Sequence, residues 1–380
     1  MTKKVAIIGA SYLQAPLIYC AKRNGYETHV FAWRKGDVGE KLADYFYPIS
    51  IVDKEMILTK CREINIDGIC SIASDLATIT VNYVANKMGL SGNSMECTRL
   101  STNKYEMRKA LEDYGLPCPA YVLVDENTEI EKIDISYPSI IKPTDRSGSR
   151  GVKLINSFEE IKPAIDEAVE QSFEKKALIE EYVEGDEYSV EYVSFHGVHH
   201  FLACTYKYTT GAPRFVERGQ FEPADLSEEC LNKIRAIVEK ALDALGITNS
   251  ASHSEIKIDS TGEITIIEIG ARMGGDLIGS HLVKESTGVD MVKAVLEIAL
   301  GIDPDLTPVS KGNAAGVRFI IDASDIEDFK KVQEECPEIL IQSDIDMISN
   351  VSVRDSSDRL GYFLMHSPDP KIVLKYMPRI

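Results

Sequence analysis

The chain begins with a strand, a tight turn, a helix and a second strand, and this order constrains its fold more than any other feature. An apolar run over 5–8 ends at Gly9, a helical pattern covers 15–24, and a second apolar run covers 28–32. Strands and helices that alternate in this way pack as a parallel sheet with helices on its faces. We therefore predict that the chain opens with a parallel α/β domain.

A glycine after the first strand is also the start of a dinucleotide-binding fingerprint. Only Gly9 is present, whereas G-x-G-x-x-G requires three glycines. The pattern therefore favours an open α/β unit with a structural turn over an NAD site. A helical pattern over 53–64 and an apolar run over 68–72 continue this unit, which we expect to end near residues 90–92.

Length and charge limit the classes of function. A chain of 380 residues suits two or three packed units. The formal charge is −18 and no block of Lys and Arg is present, so the field of the protein repels nucleic acid and we predict no such partner. A small anion such as ATP needs only a few local cations and backbone N–H groups, so the overall acidity does not exclude it.

Cysteine spacing and hydropathy indicate the compartment. The eight cysteines include no C-x-x-C pair, which fits neither a zinc site nor a disulfide framework. The apolar run near Met1 is too short for a signal peptide, and no stretch approaches the roughly 18 apolar residues of a membrane span. We predict a cytoplasmic protein without a membrane partner.

Further units follow the opening domain. An α+β subdomain is predicted to contain a helix over 101–114, which carries Lys104, and a loop over 147–151 between two strands. The next unit contains two hairpins, around 196–197 and 260–262, and a mixed α/β appendage ends the chain. The predicted boundaries are 1–97, 98–184, 185–303 and 304–380.

The loop Ser147-Gly-Ser-Arg-Gly151 is a candidate phosphate-binding lid. Its small residues and glycines allow the backbone to fold over phosphates and donate N–H bonds to them. It follows a strand that ends in Lys142, which supplies a cation, although an ordinary hairpin loop is an equally open interpretation. It is not a Walker A loop, because G-x-x-x-x-G-K-[ST] is absent from the sequence.

Glu255 and Glu268 form the sharpest signal in the sequence. If Thr261-Gly262 is a two-residue turn, Ser260 pairs with Glu263 and the same register sets Glu255 opposite Glu268. Two carboxylates placed in this way repel each other, and a divalent cation removes that cost. Hard oxygen ligands with room for water and phosphate favour Mg²⁺.

An arginine and two glycines follow Glu268 directly. Arg272 can clamp a carboxylate and stabilise charge on a transferring phosphoryl group, while Gly274 and Gly275 give close backbone access. A structural salt bridge is the alternative interpretation for Arg272. Upstream, the segment Glu180-Glu-Tyr-Val183 and Glu187 offer backbone groups for an adenine and a carboxylate for ribose hydroxyls, although by itself this stretch is only an acidic strand end.

Three other side chains are weaker substrate candidates. His253 lies on the same strand face as Glu255, although a structural histidine is an equally open interpretation. Glu217 offers a carboxylate to an ammonium group. Arg318 lies on a predicted strand after the second hairpin and could reach the acyl pocket, but a plain ion pair is the favoured interpretation.

Taken in chain order, five elements resemble those of the ATP-grasp superfamily. The pattern H-[ST]-E-I followed by I-E-x-x-A-R-x-G-G is most similar to L-amino-acid ligases and related single-module carboxylate–amine ligases. The resemblance covers roughly residues 1–300. The five elements are Lys104, Lys142 with the loop over 147–151, Glu180 to Glu187, His253-Ser-Glu255 and Glu268-Ile-Gly-Ala-Arg272.

This resemblance implies an α/β ATP-grasp fold with a parallel pre-grasp domain, a lid-bearing α+β subdomain, a metal-bearing mixed-sheet lobe and a small C-terminal α/β appendage. It implies ATP as cosubstrate and one or two Mg²⁺ ions, with Mn²⁺ as a substitute, on Glu255 and Glu268. Arg272 would hold the substrate carboxylate and its acyl phosphate. The implied ATP contacts are Lys104, Lys142, Ser147, Gly148, Ser149, Glu180, Tyr182, Val183 and Glu187.

The implied activity is an ADP-forming ligase that joins a small carboxylate, activated as an acyl phosphate, to an amine. Amino acids are the expected substrates, and a homodimer is the expected assembly. One departure is Gly270, where many members carry Asn as a further metal ligand. Two alternatives stay open: a bicarbonate-activating carboxylase and a non-catalytic nucleotide-binding protein.

Overall fold

The computed structural model describes residues 2–212, 215–345 and 356–379. Its first sheet is parallel, in the strand order β3-β2-β1-β4, which confirms the predicted α/β opening. The short edge strand β3 was not predicted. The strands are β1 (Lys4–Ile8), β2 (Glu27–Phe31), β3 (Tyr45–Tyr47) and β4 (Gly68–Cys70), and the helices are α1 (Ala15–Arg23), α2 (Val38–Leu42), α3 (Lys54–Ile64) and α4 (Asp75–Met88).

Helix α4 begins just beyond the carboxyl end of β4, the edge of a parallel sheet where ligands commonly bind. Ser74 caps this helix, because its side chain accepts a hydrogen bond from Ala77 N. The helix ends at Gly89, whose φ of +68° fits the left-handed position after a helix. Asp75, the first helical residue, is therefore fixed at the sheet edge.

The predicted helix over 101–114 is wrong at its start. The structure has α5 (Met95–Thr102) and α6 (Lys104–Asp113), separated by Asn103 in an extended conformation. The Asn103 side chain accepts hydrogen bonds from Tyr105 N and Glu106 N, so it caps the second helix instead of continuing the first. Lys104 is consequently the first residue of α6.

A second, antiparallel sheet follows, in the order β5-β8-β6-β7. Helix α7 packs on it, and the buried apolar residues of this layer form a cluster of their own. The loop over 147–151 connects β6 to β7, as predicted. The elements are β5 (Tyr121–Val124), β6 (Ser139–Pro143), β7 (Lys153–Ile155), α7 (Ile161–Gln171) and β8 (Ala177–Glu181).

The third sheet is antiparallel and has eight strands, in the order β13-β12-β9-β10-β11-β14-β16-β15. The two predicted hairpins are β9–β10 and β12–β13. Strands β14 to β16, from the predicted C-terminal appendage, extend this same sheet. The strands are β9 (Asp186–Phe195), β10 (Val198–Thr209), β11 (Glu217–Glu222), β12 (Ser250–Ile258), β13 (Ile264–Gly270), β14 (Ala314–Phe319), β15 (Leu340–Ile345) and β16 (Gly361–Ser367).

Helices cover this sheet and join it to the first domain. Helix α10 packs against α1 and β4, so the opening domain and the large sheet share one apolar core. A short π-helical turn, Ile278–Leu282, precedes α9. In the described ranges, no helix is long and apolar enough to cross a bilayer. The helices are α8 (Glu228–Ala244), α9 (Val283–Thr287), α10 (Met291–Ala299), α11 (Ala323–Glu335) and α12 (Pro370–Leu374).

Candidate active site

A cavity of about 190 Å³ lies between the second and third sheets. Alternate residues of β12, β9, β10 and β11 bring charged side chains to it, because successive strand residues point to opposite faces. Most of the predicted site residues line this cavity. They are Lys104, Lys142, Ser147, Gly148, Ser149, Glu180, Tyr182, Val183, Glu187, Glu217, His253, Glu255, Glu268 and Arg272.

Glu255 and Glu268 lie opposite each other, as predicted, but the turn that joins their strands is not the predicted one. Asp259 N donates to Glu263 O, so the loop has three residues, with Gly262 at φ +86°. That loop alone would set Glu255 opposite Ile267. The register shifts by one residue between Glu255 and Ile256, and this bulge returns Glu268 to the cavity face.

Lys104 lies beside the second member of the carboxylate pair. Its Nζ donates to Glu268 Oε1 at 3.0 Å and to the carbonyl of Arg146 at 2.6 Å. Its backbone N donates to Thr144 O at 2.7 Å, which fixes the start of α6 against the strand that carries Lys142. One lysine therefore links the carboxylate pair to the loop over 147–151.

Lys142 belongs to a buried ion network that the sequence did not reveal. Its Nζ lies 2.6 Å from Glu180 Oε2, and Glu180 Oε1 accepts from Arg108 Nε at 2.9 Å. Burial alone would raise the pKa of Glu180, but the charges of Arg108 and Lys142 outweigh burial, so the pKa lies below its usual value. Arg108 also donates to Ile267 O at 2.5 Å, the carbonyl of the bulged residue. Arg108 lies four residues after Lys104, so both side chains are on one face of α6. This spacing was the feature of the sequence that could have indicated Arg108 as a site residue.

Lys207, on β10, is a second residue that the sequence analysis missed. Its Nζ lies 2.5 Å from Glu255 Oε1, 2.8 Å from Glu187 Oε1 and 4.0 Å from Glu217 Oε1. Burial alone would lower its pKa, but these three carboxylates raise the pKa well above its usual value. Burial would raise the pKa of Glu255, but Lys207 and His253 hold it well below its usual value.

His253 forms a hydrogen bond with Glu191, which is fully buried on the neighbouring strand β9. His253 Nδ1 lies 2.5 Å from Glu191 Oε1, and Gly274 N donates to Glu191 Oε2 at 3.3 Å. Burial would lower the pKa of His253, but Glu191 and Glu255 raise it to about 9. A Cβ on Gly274 would lie 2.9 Å from His253 Nδ1, so close packing explains this glycine.

Arg272 both lines the cavity and forms an ion pair. Its Nε and Nη2 donate to the two oxygens of Asp75 at 2.7 and 3.0 Å, and Asp75 comes from the start of α4. The two interpretations of Arg272 left open by the sequence are therefore compatible. Asp75 was not predicted, although its position just beyond a parallel strand is where site residues are expected.

The loop over 147–151 makes a tight turn beside the cavity. Gly148, Ser149 and Gly151 have φ values of +70°, +57° and +68°. Ser149 Oγ donates to Phe215 O at 3.4 Å, which ties the loop to the segment before β11.

At the far end of the cavity, Lys257 donates to Val183 O at 2.9 Å and lies 4.9 Å from the centre of the Tyr182 ring.

Glu217 lines the cavity and also contacts the C-terminal segment, whereas Gly275 and Arg318 lie outside the lining. Glu217 accepts from Ser356 Oγ at 2.7 Å and from Arg359 Nη2 at 3.3 Å. Gly275 packs near Ala73, outside the cavity lining. Arg318 is buried against Asp325, with Nη2 2.7 Å from its carboxylate, so the structure does not bring it to the cavity.

The donor set suits a hard cation that is shared with a ligand. In the described ranges, no group of three or more His, Cys, Asp and Glu side chains is arranged to hold a metal. Glu255 and Glu268 would therefore supply only part of a coordination shell, and phosphate oxygens and water would complete it. Acidic side chains for a metal, with Lys104 and Lys142 in the same lining for phosphate, fit a metal-bound polyphosphate.

Comparisons with known proteins show what this chain is similar to. A family model for the ATP-grasp domain matches residues 135–280. The alanine–anticapsin ligase of Bacillus subtilis is 28% identical over 307 residues, which cover 71% of this chain and 64% of that enzyme. The chain spans 64–65% of the length of the first curated relatives that it matches.

Solved structures show the same fold over nearly the whole chain. The L-amino acid ligase from Bacillus licheniformis matches with a TM-score of 0.83 at 23% identity, covering 99% of this chain and 96% of that one. The N5-carboxyaminoimidazole synthetase from Staphylococcus aureus, complexed with ADP, matches with a TM-score of 0.78 at 15% identity and the same coverage. The chain therefore has the ATP-grasp fold, its residues 135–280 match the ATP-grasp domain, and over most of its length it resembles amino-acid ligases.

Proposed function

We propose that this chain is an ATP-dependent ligase that activates a carboxylate as an acyl phosphate and joins it to an amine, with amino acids as substrates. The observation that carries the proposal is the opposed pair Glu255 and Glu268, which lines one cavity together with Lys104, Lys142 and Arg272. The names of the relatives support amide formation between amino acids as the reaction class.

ATP is proposed to lie along the cavity, with its adenine beside Tyr182 and Val183 and its ribose at Glu187. Lys142 and the loop over 147–151 would contact the phosphates. Mg²⁺ on Glu255 and Glu268 would neutralise charge on the phosphate oxygens. In this structure Lys104 contacts Glu268. We expect its ammonium group to turn to a phosphate oxygen when a divalent cation takes over that carboxylate.

The proposed chemistry proceeds in two displacements. An oxygen of the substrate carboxylate attacks the γ-phosphorus of ATP, the bond to the β-phosphate oxygen breaks, and ADP leaves. The amine then attacks the carbonyl carbon of the acyl phosphate, phosphate leaves, and the nitrogen loses a proton. Arg272 would hold the carboxylate through both steps, and closure of the loop over 147–151 would exclude the water that hydrolyses the acyl phosphate.

The test is ADP release with Mg²⁺ and ATP over a matrix of amino-acid pairs, with products read by mass spectrometry. We expect turnover that requires two partners and gives a product lighter than their sum by one water. Glu268→Gln should lower turnover at least about tenfold. Glu263→Gln is the matched control, because Glu263 lies on the same hairpin but is exposed.

Two results would contradict the proposal in different ways. ADP release driven by bicarbonate and indifferent to amines would replace it with carboxylation. Nucleotide binding without turnover under any mixture would indicate a non-catalytic nucleotide-binding protein. The predicted homodimer is a separate proposal, which the oligomeric state in solution would test.

A further inference from the structure

Asp75 is the one acidic side chain from the opening domain that contacts the catalytic arginine proposed above. Its carboxylate binds Arg272 side-on through Nε and Nη2, at 2.7 and 3.0 Å. The two side chains are only 18% and 16% exposed. This contact leaves Arg272 Nη1, whose nearest acceptor is Met273 O at 3.4 Å, as a weakly used donor at the cavity.

The backbone around Asp75 is built to hold this contact. Ala73 N donates to Met273 O at 3.2 Å, so the segment before α4 is docked on the residue that follows Arg272. Ala73 has a φ of +58°, which costs energy for a residue with a Cβ and persists only where the surroundings enforce it. Strain of this kind is common at ligand clamps.

A side chain on Gly270 would crowd this pair. A Cβ on Gly270 would lie 3.0 Å from Asp75 Oδ1 and 3.2 Å from Arg272 Cζ. The position at which many family members carry Asn is therefore taken, in this chain, by a carboxylate from the opening domain. The Asp75 carboxylate comes from the opening domain and binds Arg272.

The pair also separates two spaces. Arg272 lines the main cavity, whereas Asp75 lines a neighbouring cleft of about 270 Å³. The two spaces share Lys104, Arg146, Ser147 and Glu268 in their linings, so they are adjacent at Glu268. A small ligand bound where these spaces meet could reach Arg272 with a carboxylate and Asp75 with a cationic group.

We propose that Asp75 selects an α-amino acid as the activated acid, by binding its ammonium group while Arg272 binds its carboxylate; this inference rests on the proposed ligase function. An acid without an ammonium group makes two poorly hydrated carboxylates, its own and that of Asp75, share the single charge of Arg272, which is costly. An α-amino acid brings a cation for Asp75 and an anion for Arg272, so both groups stay paired.

The test compares each amino acid with its own des-amino and α-hydroxy analogues. L-Alanine is set against propionate and lactate, and L-phenylalanine against 3-phenylpropionate and phenyllactate, with one fixed amine partner. In the wild type we expect kcat/KM for the better amino acid to exceed that of its analogues at least tenfold. In Asp75→Asn this ratio should fall at least tenfold, mainly through a higher KM for the amino acid, and Asp75→Glu should recover part of it.

A control separates specificity from loss of structure. Asp44 is in the same domain and pairs with Lys22 at 2.7 Å, away from the cavity. Asp44→Asn should therefore leave the ratio unchanged. If Asp75→Asn lowers kcat/KM for the amino acid and its analogues by one common factor, Asp75 only positions Arg272 and the proposal is overturned. The proposal is also overturned if Asp75→Asn leaves kcat/KM at its wild-type value for every acid.

Binding measured by calorimetry keeps this inference distinct from the ligase proposal. The wild type and Asp75→Asn are titrated with the same acids in the presence of Mg²⁺ and a non-hydrolysable ATP analogue. If the wild type releases no ADP with any acid and amine, the ligase proposal fails. A preference of the wild type for the amino acid over propionate that is lost in Asp75→Asn would still support the Asp75 assignment, and equal affinities in the wild type would overturn it.

Discussion

Lys207 Nζ lies 2.5 Å from Glu255 Oε1, so a buried ammonium group stands beside one member of the opposed carboxylate pair. Its other partners are Glu187 and Glu217, which means that three acidic side chains share one lysine. The local charge is negative even with Lys207 in place. A divalent cation and this lysine should therefore substitute for each other in part.

We predict that Lys207→Met destabilises the protein by about 3–5 kcal/mol without divalent ions, because it leaves buried carboxylates uncompensated. MgCl₂ should then raise the melting temperature of the variant more than that of the wild type. Thermal unfolding in MgCl₂, against NaCl of equal ionic strength, measures this. Lys233→Met, at an exposed lysine paired with Glu229, is the control. Equal Mg²⁺ shifts in Lys207→Met and the wild type would refute the argument.

The Arg108–Glu180–Lys142 network should behave as a unit in unfolding experiments. Arg108 is fully buried and Glu180 is 3% exposed. We expect Arg108→Met to cost about 3 kcal/mol of unfolding free energy, because Glu180 keeps only one of its two cations. In the double variant Arg108→Met/Glu180→Gln both members of the Arg108–Glu180 pair are gone and only Lys142 is left without its partner, so its loss should be smaller than the sum of the single losses. Urea unfolding of the four proteins measures the coupling, and additive losses would exclude it.

The sequence predicted which side chains meet at the cavity better than it predicted the local structure that brings them together. Glu255 and Glu268 were identified as a pair, but through a two-residue turn that the structure does not have. The actual register depends on a bulge at Ile267. No local residue pattern predicts this bulge, because its carbonyl accepts a hydrogen bond from Arg108, which is distant in the sequence.

Residues contributed by other parts of the fold were the hardest to predict. Asp75 and Arg272 are 197 positions apart and meet only when the opening domain docks on the large sheet. Lys207 carries no local signal at all, since a lysine near the end of a strand is usually exposed. Arg318 forms the plain ion pair that was the favoured interpretation of its position, because its side chain binds Asp325.

Glu222 should make stability fall as the pH rises. Its carboxylate is buried and accepts from Thr205 Oγ1 at 2.6 Å and from Ser286 Oγ. Burial raises its pKa from 4.5 to about 7 in spite of these donors. Between pH 4.5 and pH 7 the folded state thus holds a proton that the unfolded state has lost, so unfolding becomes easier through this window.

We therefore predict that Glu222→Gln has little effect on stability at pH 4.5 and stabilises the protein at pH 8. The shift in pKa corresponds to an upper limit of roughly 3 kcal/mol. Urea unfolding of the variant and the wild type at several pH values gives the difference directly. Glu229→Gln, at an exposed position, should show no such dependence. A difference that is constant with pH would contradict the raised pKa.

The loop over 147–151 offers a test of nucleotide contact that a change in stability does not confound. Gly148 has a φ of +70°, and a Cβ there would meet nothing within 4 Å; Gly36, in a loop of the opening domain, has a φ of +81° and equally open surroundings. Replacing either glycine by alanine should cost about 1 kcal/mol of stability through backbone strain. Only Gly148→Ala should also raise the KM for ATP, because the strained turn would move N–H groups that we expect to contact phosphate. ADP-release kinetics and urea unfolding of both variants measure the two effects, and an equal KM in the two variants would show that the loop does not bind the nucleotide.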